Sequence, residues 1–208
     1  MLGIALLPMQ AVAGTLQGDC QQKWIYEPKM TQESTWAGME TLGTSVLELD
    51  CVVKPAQTPA GTADAIAVDV VALEKEGALV QGPIDEPFEG QASERYDIAI
   101  PIDAGSDGKG TQWQEFHLIH SPTALLLASE TTDAKISGNG GNFRAINYRI
   151  DGKLQADGTF LLTMTSKLMV HKPGFAPTSI FLSHIKGDAL DMLKELSGRY
   201  LNPIIDKL

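Results

Sequence analysis

Residues able to move protons or hold a cation are sparse in this chain. The densest group is Glu115-x-His117-x-x-His120 in TQWQEFHLIHS. A carboxylate beside an imidazole can act as an acid/base pair or share a metal. The spacing is not H-E-x-x-H, and the flanking residues read as a strand. On a strand Glu115 and His117 share a face with Trp113 and Ile119, while His120 falls opposite with Phe116 and Leu118. Ligands of one metal must converge, so the pattern favours a strand with two ordinary histidines, and no metal or cofactor is expected. Glu115 and His117, with Trp113 beside them, remain the candidate catalytic group, since His171 and His184 lie too far along the chain to be assigned to it.

Other motifs are thinner. Asp103, Asp107 and Gly108 fit three positions of a calcium loop, but Gly105 has no ligating side chain and Gln114 stands where the bidentate Glu belongs, so DAGSDGKG reads as a hairpin loop. Gly138-x-Gly140 lacks the strand-to-helix setting of a dinucleotide site. There is no G-x-S-x-G. In AIAVDVVAL (65–73) alternation predicts a strand that buries Ile66, Val68 and Val70 and turns Asp69 outward, since a buried lone carboxylate is costly.

The stretch that specifies structure most closely is Phe143 to His171. Ile146, Tyr148, Ile150 and Leu154 alternate with polar residues, as do Phe160, Leu162, Met164 and Leu168 beyond Asp157-Gly158. A two-residue loop would set Ile150 against Thr165 and mix the faces. A three-residue loop with Gly158 left-handed pairs Leu154 with Phe160, Ile150 with Met164, Tyr148 with Ser166 and Ile146 with Leu168. One face is then apolar, and Ile146, Tyr148, Ile150, Phe160, Leu162, Met164 and Leu168 are the candidate ligand-binding residues.

Residues 2–13, LGIALLPMQAVA, are apolar and uncharged, with an A-x-A pattern before Gly14. They look like the end of a secretory signal, although the usual basic n-region is missing. The expected division is a signal remnant at 1–13 and one β-rich domain over 14–208. Cys20 and Cys51 are the only cysteines, and in an exported protein an even pair predicts a disulfide. Setting Cys20 opposite Cys51 on antiparallel strands also sets Trp24 opposite Leu47, with a short helical turn expected near Trp36 and Met39. A hydrophobic content of 43% allows a sizeable core, and the net charge of −10 argues against nucleic acid and anionic membranes. No run approaches the roughly 18 apolar residues that span a bilayer, so an integral membrane protein is not expected.

Between these landmarks, GALVQGPIDEPFEGQASE reads as a surface excursion, and its Ile84 and Phe88 suggest a flap. RYDIAIPID is a strand that Pro101 places at a sheet edge or a strand end. TALLLA (123–128) is apolar on both faces and must be covered twice, with the chain's last segment as the expected cover. TSIFLSHIKG reads as a final strand. Asp188 then reads as the N-cap of an amphipathic helix over about 188–206, with Leu190, Leu193, Leu196, Tyr200, Ile204 and Leu208 facing inward. Gly198 and Pro203 are places for that helix to kink or break in two.

The expected fold is therefore mainly β with minor α: a curved antiparallel sheet or open barrel of about ten strands, with a C-terminal amphipathic helix packed on it. A two-sheet sandwich with an added helix is the alternative. The arrangement resembles lipocalin-like and START-like cups in outline only, since no signature of either family is present. The leading functional expectation is a periplasmic or secreted protein binding an apolar small molecule or lipid between sheet and helix. The first alternative is a structural or interaction module of the cell envelope that meets a protein partner through an edge strand near Pro101. The second is a hydrolase built on Glu115 and His117.

Overall fold

The computed structural model describes residues 19–54, 77–103, 109–136 and 143–207, together with Ala67, Val70 and Glu74. Residues 1–13, the Asp69 carboxylate and the loops 104–108 and 137–142 lie outside the described residues.

The strands are β1 (Asp19–Thr35), β2 (Gly38–Val53), β3 (Leu79–Asp85), β4 (Glu94–Asp103), β5 (Lys109–Ser121), β6 (Ala124–Ile136), β7 (Phe143–Leu154) and β8 (Phe160–His171). They form one curved, open sheet of eight strands in the order β1-β2-β8-β7-β6-β5-β4-β3, with every described pairing antiparallel. Helix α1 (Thr178–Leu196) follows β8, passes into a π-helical turn at Ser197–Leu201, and ends as α2 (Asn202–Lys207).

The β7–β8 hairpin has the register expected of a three-residue loop: Leu154 opposite Phe160, Ile150 opposite Met164, Tyr148 opposite Ser166 and Ile146 opposite Leu168. Gln155 N–H donates to Thr159 O at 2.7 Å, and Gly158 adopts φ +82°, a conformation that glycine takes without penalty. Cys20 and Cys51 form the disulfide, opposite one another on β1 and β2, with Trp24 opposite Leu47. The two strands run on to a tight turn at Trp36-Ala37, so the helical turn expected there is absent.

Three further expectations are corrected. TSIFLSHIKG is the first half of α1, which starts at Thr178. Phe181, Ile185, Ala189 and Met192 recur at helical spacing and are all buried. An interior Gly187 costs about 1 kcal/mol, less than the roughly 1.5–3 kcal/mol gained by burying each large apolar side chain. Asp188 therefore lies inside the helix and is not its N-cap; that position falls to Pro177. Second, Ala67 and Val70 are helical, against the strand expected over 65–73. Third, the Gly- and Pro-rich stretch after Gly77 holds the edge strand β3. Pro101 falls near the end of β4, beyond the last β3 partner at Ala99, which is one of the two places expected for it; β4 is paired on both sides, so the sheet edges are β1 and β3. With β3 gained and the two helical stretches not strands, the described residues hold eight strands.

Candidate functional site

Alternation and register sort the sheet into two faces. On the helix side, adjacent strands align their side chains into rows. One runs Leu47, Ser166, Tyr148, Ser129, Phe116 and Tyr96 from β2 to β4. The next runs Leu49, Met164, Ile150, Leu127 and Leu118. The predicted ligand-binding residues Ile146, Tyr148, Ile150, Phe160, Leu162, Met164 and Leu168 all belong to this face. All are buried in one apolar cluster with the terminal helix.

The helix packs over the part of this face carried by β1, β2 and β8. Phe181 and Ile185 fill the space above Gly43, where an added Cβ would lie 2.5 Å from the Phe181 ring and 2.3 Å from Ile185 Cδ1. Leu193 and Ile204 are buried as expected, with Leu190, Leu196 and Tyr200 partly so. Ser197 Oγ donates to Leu193 O at 2.6 Å and lies 3.7 Å from Met164 Sδ. One turn later, within the π-helical segment, the Tyr200 ring stacks on Tyr148 at 4.9 Å. The helix thus becomes irregular directly above the middle of the β7–β8 hairpin.

This face is not uniformly apolar. Ser45, Gln112, Gln114, Ser129 and Ser166 are buried among its aliphatic residues. Gln112 Nε2 donates to Thr131 Oγ1 at 2.9 Å, and Ser129 Oγ to Gln114 Oε1 at 3.3 Å. Among described side chains, no Lys, Arg, Asp or Glu of β2, β5, β6, β7 or β8 shares the face of Leu47 and Tyr148. These polar positions escaped sequence reading because they join the site only through the pairing of β2 with β8 and of β5 with β6. Phe181 and Ile185 were also missed, although their four-residue spacing to Ala189 was a usable signal.

Glu115 and His117 stand on the opposite face. Their side chains approach to 3.8 Å, with His117 6% and Glu115 43% exposed. Trp113 shares that face and carries Lys135 Nζ 5.2 Å from its ring centre. The element that meets His117 is the turn before β4. Glu89 and Gly90 both have positive φ, and Phe88 and Gln91 exchange backbone hydrogen bonds across them, as a type I′ turn requires. Arg95–Glu86 and Arg149–Glu89 ion pairs hold the turn to the sheet. Phe88 stacks on His117 at 4.2 Å and covers Ile119, Leu126 and Ala128. TALLLA is thus covered twice as expected: Leu125 and Leu127 join the main buried cluster, and the Phe88 turn covers Leu126 and Ala128. The flap reading of Phe88 becomes a fixed cap on the outside of the sheet.

Ser93 completes an apparent Ser–His–Glu group, its Oγ 3.4 Å from His117 Nδ1. The hydroxyl has one proton, and the Glu86 carbonyl at 2.6 Å, which can only accept, takes it. Ser93 must then accept from Nδ1–H, so His117 has no lone pair there with which to activate the serine. Among the described residues no three His, Cys, Asp or Glu side chains gather as a metal site.

No family model matches this chain, and no curated protein does. Solved structures resemble it at a distance. Ara h 8.0201 aligns over 79% of this chain and 97% of its own, at 13% identity and TM-score 0.41. The Mll3558 protein from Rhizobium loti aligns over 77% and 99%, at 13% identity and TM-score 0.40. The human StarD13 (DLC2) lipid transfer and protein localization domain aligns over 89% and 88%, at 12% identity and TM-score 0.39. Likenesses this remote carry no argument about function, which rests on the geometry above.

Proposed function

We propose that this protein binds an apolar small molecule or lipid between the helix-side face of its sheet and α1. One observation carries the reading: a broad apolar sheet face is covered in part by the terminal helix, whose regular hydrogen bonding gives way at Ser197–Leu201 over Tyr148 and Met164. A terminal helix can tilt away without dismantling the sheet, and Met164 and Met192 are flexible enough to repack around a guest. Ile146, Tyr148, Ile150, Phe160, Leu162, Met164 and Leu168 would line the bound molecule. The disulfide suits an oxidising compartment, so the periplasm or the outside of the cell is the proposed location. No described helix is long and apolar enough to cross a membrane. Native mass spectrometry of protein purified from its source compartment should find a co-purifying apolar mass, and delipidated protein should take up Nile red. Absence of both would end the proposal.

A second reading, an envelope interaction module, has its own observation. β1 is a long edge strand with Ile25 and Tyr26 exposed, and β3 at the other edge exposes Leu79. Exposed strand edges are templates for pairing with another chain. Light scattering that finds only monomers, with no partner in pull-downs, counts against it.

A further inference from the structure

Two hydroxyls on the helix-side face point to the kind of molecule it would hold. Ser45 and Ser166 are each 1% exposed, and neither Oγ has a hydrogen-bond partner among the described residues. Ser45 stands opposite Leu168 and Leu47 opposite Ser166, so the two serines are diagonal neighbours on adjacent strands. Such neighbours lie roughly 7–8 Å apart, less at Cβ, so one small polar group between them can reach both. A buried hydroxyl without a partner costs about 1–3 kcal/mol, and alanine would fill either position without that cost. Two such groups side by side, inside the face already argued to receive a ligand, mark a place where an incoming molecule supplies the missing hydrogen bonds.

We infer that the bound molecule is a neutral amphiphile whose head carries a hydroxyl, carbonyl or amide, held by Ser45 and Ser166 with its hydrocarbon over Leu49, Met164 and Ile150. This rests on the binding reading above and narrows it. The head is neutral because no described charged side chain of β2, β5, β6, β7 or β8 faces it, Glu94 on the same face stands out on β4 and accepts a hydrogen bond from Tyr96 Oη, and an ion buried without a counter-charge loses several kcal/mol of solvation. Hydrogen-bonded rows at Gln112–Thr131 and Gln114–Ser129 continue the polar part of the face, whereas the row through Leu49 has no polar member from β2 to β5.

The test is displacement of Nile red from the delipidated full-length chain by three C18 probes delivered from cyclodextrin: 1-octadecene, oleyl alcohol and oleate at pH 8. Oleyl alcohol should displace the dye at about tenfold lower concentration than 1-octadecene, the effect of about 1.4 kcal/mol, and oleate should gain nothing over the alkene. In Ser45→Ala/Ser166→Ala, each probe compared through its own displacement ratio, the advantage of the alcohol should vanish, and the unfolding temperature of the delipidated protein should hold or rise as the unpartnered hydroxyls are removed. Equal displacement by alcohol and alkene in the wild-type protein overturns the inference, even if the double variant fails to fold. So does an unchanged ratio in the variant, and both results leave the apolar binding face intact. Failure of the wild-type protein to take up Nile red, together with no co-purifying apolar mass, removes the binding reading as well.

Discussion

Gly158 shows how much one residue can decide. Its φ of +82° closes the β7–β8 loop, and Asp157 Oδ1 accepts hydrogen bonds from Thr159 N–H and Oγ1 beside it. Those bonds hold the Asp157 carboxyl below its ordinary range. Open space surrounds the glycine, so Gly158→Ala meets no clash and measures backbone strain alone. The left-handed conformation costs a residue with a Cβ about 1–2 kcal/mol, and the urea midpoint should fall accordingly with no change in slope. An unchanged midpoint would show that the loop relaxes to another turn. At this scale the sequence was legible wherever the deciding partner was a near neighbour. It was not legible at His117, whose sequence neighbour Glu115 was visible while Phe88 and Ser93 arrive from the turn before β4.

The terminal helix is where local signals misled. Gly187-Asp188 resembles a helix start, yet packing of Phe181 and Ile185 over Gly43 carries the helix back to Thr178. Asp188 is left half-buried, its carboxyl pushed up to about 6, first by loss of solvent and further by Asp191, with His184 opposing. The folded value lies above the unfolded one, so the folded state keeps the proton over the window from about 4 to 6. Stability is therefore full below about pH 4 and is lost as pH rises through 6. The whole shift would be near 3 kcal/mol; with the side chain half in solvent, about 1–2 kcal/mol is a fairer figure. Asp188→Asn should raise the unfolding temperature at pH 7.5 and leave it unchanged at or below pH 4. A gain of equal size at both values would mean that the carboxylate's burial is not the cause. The helix's inward residues were readable from their spacing, but its start depended on which sheet residue left room beneath it.

For the molecule as a whole, the disulfide ties edge strand β1 to β2, across a separation of 31 residues. Replacing both cysteines with alanine should lower the unfolding free energy by about 3–4 kcal/mol on the chain-entropy account. Denaturant titration of oxidised, reduced and substituted protein measures this, and a loss confined to the reduced form would point to reactive thiols rather than to loop closure. The helix packs most on β2 and also on both β1 and β8, so Nile red uptake should survive the substitution only if β1 keeps its place in the sheet. The pairing of Cys20 with Cys51, the register of the β7–β8 hairpin and the apolar side of each strand were set by the sequence itself. Alternation and turn chemistry act over a few residues, and a one-residue slip would put every side chain on the wrong face. Tertiary structure alone decided that β2 lies against β8, that the helix packs on one face while Phe88 caps the other, and that Ser45 and Ser166 become diagonal neighbours. Those outcomes turn on which distant apolar surfaces fit together, a competition that strand periodicity does not encode.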